Sequence, residues 1–275
     1  MLDVCLLGTG GTMPLPERAL TSLLVRYKGK NILIDCGEGT QVMIRKSGFS
    51  LNKIDTILIT HFHADHISGL PGLLLSIGKS ERTDPLRIIG GKGIAFVVES
   101  LCIIAPDLPF EIECFEIDNI HETFMLDELK IESLRLDHNI PCYGYSLTLN
   151  RTGKFNPQKA LALGIPLNMW GLLQKGERVE YEGQLFLPEQ VLGDARKGLK
   201  ITYCTDTRPT KDLVDFARNS DLFVCEGMYA DEEKLQKAII NKHMMFSEAA
   251  ETARLANVQK LWLTHFSPTI KDPKE

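Results

Sequence analysis

The stretch Thr60-His61-Phe62-His63-Ala64-Asp65-His66 limits what this chain can fold into more than any other. Four metal-capable side chains fall within six residues, after the apolar run Ile57-Leu58-Ile59 and before a hydrophobic segment over 67–77. A buried strand that ends in a tight turn fans such side chains into one pocket. His61 and His63 point the same way on an extended backbone, because strand side chains alternate with period two. Asp65 and His66 then fall on the turn into a helix. Imidazole with carboxylate is a borderline ligand set that suits Zn first, then Mn or Fe. Three of the chain's seven histidines sit here, so separate core or surface roles account for them poorly.

Other ligand-type residues follow the same rule of position. His138 comes after the alternating run Leu129-Lys130-Ile131-Glu132-Ser133-Leu134, Asp206 after Ile201-Thr202-Tyr203-Cys204, and His265 after Leu261-Trp262-Leu263-Thr264. Sites in open α/β architectures gather at strand ends, where a rigid frame holds the loops. His61, His63, His138 and Asp206 make one full ligand set. Asp65, His66, Asp206 and His265 make a second, and the two share one carboxylate.

The remaining runs alternate between strand and helix. Strands are expected over 2–7, 23–26, 31–35, 56–60, 86–89, 111–117, 129–136 and 144–149, then over 201–204, 222–225 and 260–264. Helices are expected over 40–47, from the metal turn to 77, and over 93–104, 210–218, 231–240 and 247–255. Gly8-Thr9-Gly10-Gly11 permits a tight turn that brings backbone close to a ligand. Two sheets with helices on their outer faces would bury all these runs. The segment 151–199 has another texture: three prolines, seven glycines and scattered Lys and Arg. Only short helices over 157–163 and 169–175 fit it. It reads as an arm leaving a single domain of residues 1–275, either a solvated loop or, given Arg151, Lys154, Lys159, Lys175, Arg178, Arg196 and Lys197, a phosphate-binding element. His121 matches no pattern and is expected at the surface.

Composition narrows the setting. No apolar run approaches a membrane span, and the N-terminus carries no basic flank or cleavage site of an export signal. The seven cysteines form no Cys-x-x-Cys pair, and four lie inside apolar strands, as buried free thiols do. These features point to the cytoplasm. The net charge of −5 gives no global basic field, so a nucleic-acid partner needs a local patch.

Two cations a few ångströms apart lower the pKa of a shared water and clamp the oxygens of a phosphodiester. Asp65 could ligate one ion and also orient or deprotonate that water. The leaving alkoxide needs a proton, and Glu226 and His243 are the candidates. Glu226 supporting a ligand, or His243 standing exposed, are the plainer alternatives.

His61-Phe62-His63-Ala64-Asp65-His66 resembles the signature of the metallo-β-lactamase superfamily. The flanking text resembles its ribonuclease Z branch, the tRNA 3′-processing endoribonucleases: Asp35-Cys36-Gly37-Glu38-Gly39-Thr40-Gln41, Gly69-Leu70-Pro71-Gly72-Leu73-Leu74, Cys204-Thr205-Asp206-Thr207-Arg208-Pro209 and Leu263-Thr264-His265-Phe266-Ser267-Pro268. The similarity runs from Leu2 to about Lys271 and includes the arm. It implies a four-layer αβ/βα sandwich with an inserted arm, two Zn ions (or Mn or Fe), and cleavage of tRNA precursors after the discriminator base. It also implies a homodimer in which the arm of one subunit reaches tRNA bound at the other. Asp65, Glu226 and His243 take the family's catalytic positions. His61, His63, Asp65, His66, His138, Asp206 and His265 take its metal positions.

The chain departs from the family's text in places. Ala64 stands where Gly is usual. Cys225-Glu226-Gly227-Met228 replaces His-Glu-Ala-Thr, and His243-Met244-Met245 replaces His-Ser-Thr. Pro14-Leu15-Pro16-Glu17-Arg18-Ala19 lacks the Lys and Asn of the loop that senses the tRNA 3′ end, and Asn168-Met169 replaces a Gly-Pro in the arm. The competing readings are a phosphodiesterase of small or non-tRNA diesters, a β-lactam, thioester or lactone hydrolase, and a non-catalytic RNA-binding protein.

Overall fold

The computed structural model describes residues 2–194 and 196–270. The elements run β1 (Leu2–Gly8), β2 (Ser22–Tyr27), β3 (Lys30–Ile34), α1 (Thr40–Lys46), β4 (Ile54–Leu58), α2 (Ala64–Ile67), α3 (Leu70–Gly78), β5 (Leu86–Gly91), α4 (Ile94–Leu101), β6 (Ile112–Ile117), β7 (His121–Leu126), β8 (Leu129–Arg135) and β9 (Tyr143–Arg151). They continue with α5 (Pro157–Ala162), α6 (Trp170–Gln174), β10 (Val179–Tyr181), β11 (Gln184–Phe186), α7 (Pro188–Val191), β12 (Arg196–Cys204), α8 (Lys211–Ala217), β13 (Leu222–Glu226), α9 (Leu235–Asn241), α10 (Phe246–Leu255) and β14 (Leu261–Thr264).

Two six-stranded sheets carry the architecture, in the orders β1-β2-β3-β4-β5-β6 and β14-β13-β12-β9-β8-β7. β3 to β6 run parallel, as do β12, β13 and β14. Parallel strands covered on both faces read as continuous apolar runs, and the buried strings of β3, β4 and β13 show this. On the first sheet, Leu24, Leu33, Ile57 and Ile59 pack with Ile44, Leu70, Leu73, Leu74 and Ile77 of α1 and α3 and with Ile94 and Val98 of α4. On the second, Cys204, Phe223 and Cys225 pack with Leu213 and Ala217 of α8 and Ala249 and Ala253 of α10. Each large apolar side chain so buried contributes about 1.5–3 kcal/mol. The inner faces meet where Tyr145 donates to the Ile59 carbonyl at 2.7 Å and the Tyr143 amide to that of Thr60 at 3.0 Å. The result is the expected four-layer αβ/βα sandwich.

The chain divides into two compact units. Met1–Phe124, Glu132–Ser146 and Ile201–Glu275 form the larger over their described residues, and Met125–Ile131 with Leu147–Lys200 form the smaller. The smaller has a core of its own, Ala160, Ile165, Leu173, Val179, Phe186 and Val191, with Phe155 and Trp170 packed against it at 5.2 Å between ring centroids.

Every strand expected from the sequence is present, with ends shifted by a few residues. Several elements go beyond expectation: β7, the β10–β11 hairpin, α7, and the start of β12 at Arg196. The helix expected from the metal turn to 77 is broken into α2 and α3. The Gly69 amide donates to the Cys36 carbonyl at 2.9 Å, and a Cβ on Gly69 would lie 2.1 Å from the Gly37 carbonyl oxygen. That close approach stops the first helical turn and locks the metal turn against the end of β3.

Candidate metal centre

All seven candidate ligands lie in the larger unit and meet at the carboxyl ends of its strands. β4 ends at Leu58, and the next residues are drawn across the end of β3. The Thr60 amide and hydroxyl both donate to Asp35 Oδ1 at 2.9 Å. His63 keeps an extended backbone, and Asp65 and His66 fall in α2. His138 follows β8, Asp206 follows β12, and His265 follows β14. Asp35, Asp206 and His265 have φ of 60°, 39° and 58°. This left-handed backbone is uncommon outside glycine and costs about 1–3 kcal/mol per residue. It turns each side chain in from the strand end.

The donor atoms converge as two sets. In the first, His63 Nδ1 lies 3.0 Å from His61 Nε2 and 3.3 Å from His138 Nε2. Asp206 Oδ2 lies 3.6 and 3.8 Å from those two Nε2 atoms. In the second, His66 Nε2 and His265 Nε2 are 3.2 Å apart. Asp65 Oδ2 lies 3.7 and 3.2 Å from them, and Asp206 Oδ1 lies 3.3 and 3.2 Å from them. Tetrahedral ligands at about 2.0–2.1 Å from an ion stand about 3.3 Å apart, which is the spacing found. Asp206 offers one oxygen to each set, and its buried Oδ1 has no hydrogen-bond donor. An orphaned buried carboxylate oxygen facing ring nitrogens is what a shared cation would satisfy. The residues present therefore fit two cations.

The outer nitrogens are held as well. Asp35, fully buried, lies 2.8 Å from His66 Nδ1 and accepts from Tyr203 Oη at 3.2 Å. The Lys242 carbonyl faces His138 Nδ1 at 3.3 Å, and Thr60 Oγ1 faces His61 Nδ1 at 3.0 Å. The Thr12 amide donates to Asp65 Oδ2 at 2.6 Å. A Cβ on Gly11 would sit 2.8 Å from the His265 ring, which explains the glycine at that position.

Electrostatics separate the two sets. Burial lowers His61 well below the ordinary histidine range, and it lowers His63 and His138 too. These rings are neutral and ready to ligate. Burial also opposes charge on His66 and His265. For His66 it is outweighed by the carboxylates of Asp206 and Asp35, which raise the ring well above its ordinary value. For His265 it is outweighed by the carboxylates of Asp206, Asp65 and Glu226, which push the ring up to about 10. Asp65 is held well below the usual carboxylate range: burial works against this, and the bond to His265 and the charge of His66 overcome it.

Glu226 and His243 stand beside these sets. Glu226 is fully buried at the end of β13. Its Oε1 accepts the Thr207 amide at 2.5 Å, and its Oε2 lies 3.0 Å from His243 Nδ1 and 3.8 Å from His265 Nδ1. Glu226 thus touches both a candidate ligand and the candidate acid. The His243 side chain is only 12% exposed, and its ring stacks on that of His265 at 5.4 Å. Burial resists charge on both partners, but their attraction prevails: Glu226 is lowered and His243 raised.

Sequence reasoning assigned no role to Asp35, the Lys242 carbonyl or the Thr12 amide. An Asp closing a buried strand was the one signal available, and it also describes an ordinary turn. His121 is exposed at the start of β7 and outside the site. Arg18, in the loop compared with a tRNA-sensing element, is buried. Its guanidinium donates to the carbonyls of Ser267, at 3.4 Å, and Ile270.

Comparisons with known proteins place this geometry. A family model described as Anti-Pycsar protein Apyc1 matches residues 2–95. Ribonuclease Z of Agathobacter rectalis is 56% identical over 270 residues, covering 98% of this chain and 89% of that protein. The crystal structure of the short form of human tRNase Z superposes with a TM-score of 0.71 at 26% identity, covering 98% of this chain and 94% of that one. A metallo-β-lactamase fold protein of Bacillus subtilis shares the fold, with a TM-score of 0.68 at 18% identity over 98% of this chain and 88% of that one.

Proposed function

This chain belongs to the ribonuclease Z family, and from that premise we propose that it removes the 3′ trailer from tRNA precursors after the discriminator base, using two zinc ions. It is a metal-dependent phosphodiester hydrolase of tRNA 3′ processing. The observation that carries the two-ion reading is Asp206, with one carboxylate oxygen toward each histidine set. The imidazole-rich donor sets favour zinc, with Mn or Fe next.

Two divalent cations there would lower the pKa of a shared water and offset the charge on the diester oxygens. His61, His63, His138 and Asp206 would hold one, and Asp65, His66, Asp206 and His265 the other. Asp65 has one oxygen fixed by the Thr12 amide, which leaves the other to orient the attacking water and take its proton. His243 is kept protonated by the Glu226 carboxylate. With Nδ1 engaged there, Nε2 is the nitrogen left to protonate the departing ribose oxygen. The buried partner also fixes the ring's direction.

The smaller unit is the tRNA-gripping arm in this reading, supported by its own core and its scattered cations. The enzyme works in the cytoplasm as a homodimer whose arms reach tRNA on the partner subunit. No helix among the described residues is long and apolar enough to cross a membrane. A local basic surface suffices for recognition by shape and backbone, so the acidic balance is no obstacle. The burial of Arg18 favours one alternative, hydrolysis of smaller or non-tRNA diesters.

Labelled precursor tRNA and bis(p-nitrophenyl) phosphate, given to the zinc-loaded protein, test the reading. A single cut after the discriminator base supports it. Turnover of the small diester with intact tRNA would replace it with the alternative.

A further inference from the structure

His243 stands in a tight turn between α9 and α10, and its backbone needs fixing as much as its ring does. Lys242 before it is left-handed, with φ 55° and ψ 52°. The His243 amide donates to the Ala238 carbonyl at 2.8 Å. Its carbonyl accepts from Arg208 Nη1 at 2.5 Å. The same guanidinium grips Glu248 with both arms, Nη1 to Oε2 at 2.8 Å and Nη2 to Oε1. Glu248 Oε2 also accepts the Met245 amide at 2.9 Å, which caps α10. Both side chains are mostly shielded, at 16% and 22% exposure.

Arg208 is tied at its other end to the metal-bridging loop. It lies two residues after Asp206, and its amide donates to the Asp137 carbonyl at 3.1 Å, next to His138. Thr207 between them donates its amide to Glu226. One side chain therefore joins the loop carrying the shared carboxylate to the turn carrying the candidate acid. A bidentate guanidinium–carboxylate pair fixes both distance and plane, which a lysine point charge does not.

We propose that Arg208 and Glu248 are positioning residues that hold the His243 turn so that its imidazole meets the leaving oxygen of the diester. The inference rests on the acid role given to His243 above. Neither residue ligates a cation or touches the reacting atoms. They act through the His243 carbonyl and the cap of α10. An acid displaced by about 1 Å loses its effect on the transition state, at a cost of about 100-fold.

The test compares two leaving groups in Arg208→Lys, Glu248→Gln and His243→Ala zinc-loaded enzymes. p-Nitrophenolate departs without a proton, whereas a ribose oxygen needs one. Arg208→Lys and Glu248→Gln should cut kcat for an RNA diester about 10- to 100-fold, at unchanged KM and metal content. They should slow bis(p-nitrophenyl) phosphate by less than about threefold. Placed on His243→Ala, either change should cost the RNA diester nothing further, whereas general loosening of the fold would add its own loss. Glu248→Gln keeps an acceptor for the Met245 amide, so it serves if Arg208→Lys folds poorly.

Equal losses on both substrates, a change confined to KM, or loss of metal would overturn the positioning role. If His243→Ala itself slows both substrates alike, the acid reading fails and the positioning role falls with it. If His243→Ala discriminates between the substrates and the other two variants do not, only the positioning role falls.

Discussion

Asp35 Oδ2 lies 2.8 Å from His66 Nδ1, on the opposite side of the ring from the nitrogen that faces Asp65, Asp206 and His265. The carboxylate fixes which nitrogen is free to ligate and makes it more basic. Asp35→Asn should weaken metal binding at the second set by about 10- to 100-fold and leave the first set unchanged. Competition with a chromophoric chelator measures both. Unchanged affinity at both sets would show that Asp35 serves the fold alone.

Because Asp206 divides its oxygens between the sets, its loss should be felt at both. Asp206→Ala should lower bound metal below one equivalent, while His138→Ala should retain an ion at the second set. Elemental analysis after desalting decides it. One tightly held ion per chain in Asp206→Ala would mean that the carboxylate is not shared.

Loading the second set should release protons. In the metal-free protein His66 is raised well above its ordinary range and His265 to about 10, so both rings are protonated near neutrality and must lose a proton to ligate. Affinity at that set should rise with pH from neutrality to at least about 10. His61, His63 and His138 are lowered, so the first set should show little dependence above the ordinary histidine value. Calorimetry in buffers of different ionisation enthalpy should find about one proton or more per ion at the second set. Proton release of zero at both sets would contradict the charge assignment.

Gly11→Ala should displace the His265 ring, because the new Cβ would lie 2.8 Å from it. Activity should fall about tenfold or more, with weaker binding at the second set. A variant with normal activity and metal content would show that the loop yields instead.

Deleting residues 153–198 should weaken precursor-tRNA cleavage and spare bis(p-nitrophenyl) phosphate turnover, because the metal centre lies wholly in the larger unit. Equal loss of both activities would show that the smaller unit supports the catalytic fold.

The convergence of the candidate ligands was legible because each follows an apolar run and chemistry-bearing side chains collect at strand ends. Residues acting across the fold were not. Asp35 is 31 positions from His66, and Arg208 is 40 from Glu248, and no local spacing announces such pairs. β7 escaped notice because its apolar residues, Phe124, Met125 and Leu126, are consecutive rather than alternating, and only Leu126 is buried. The first residues of β12, Arg196 and Lys197, are exposed and basic, and only pairing in the sheet makes them strand. The break between α2 and α3 depends on a carbonyl brought close from the end of β3, which a hydrophobic pattern does not record.

Asp65 and His265 face each other across 3.2 Å but are 200 positions apart in the chain. A ribosome making this protein releases the His61 to His66 turn early and His265 only after the last strand. Until then the second set lacks one of its four donors. The second set is therefore completed last, when the strand ending at Thr264 takes its place beside β13.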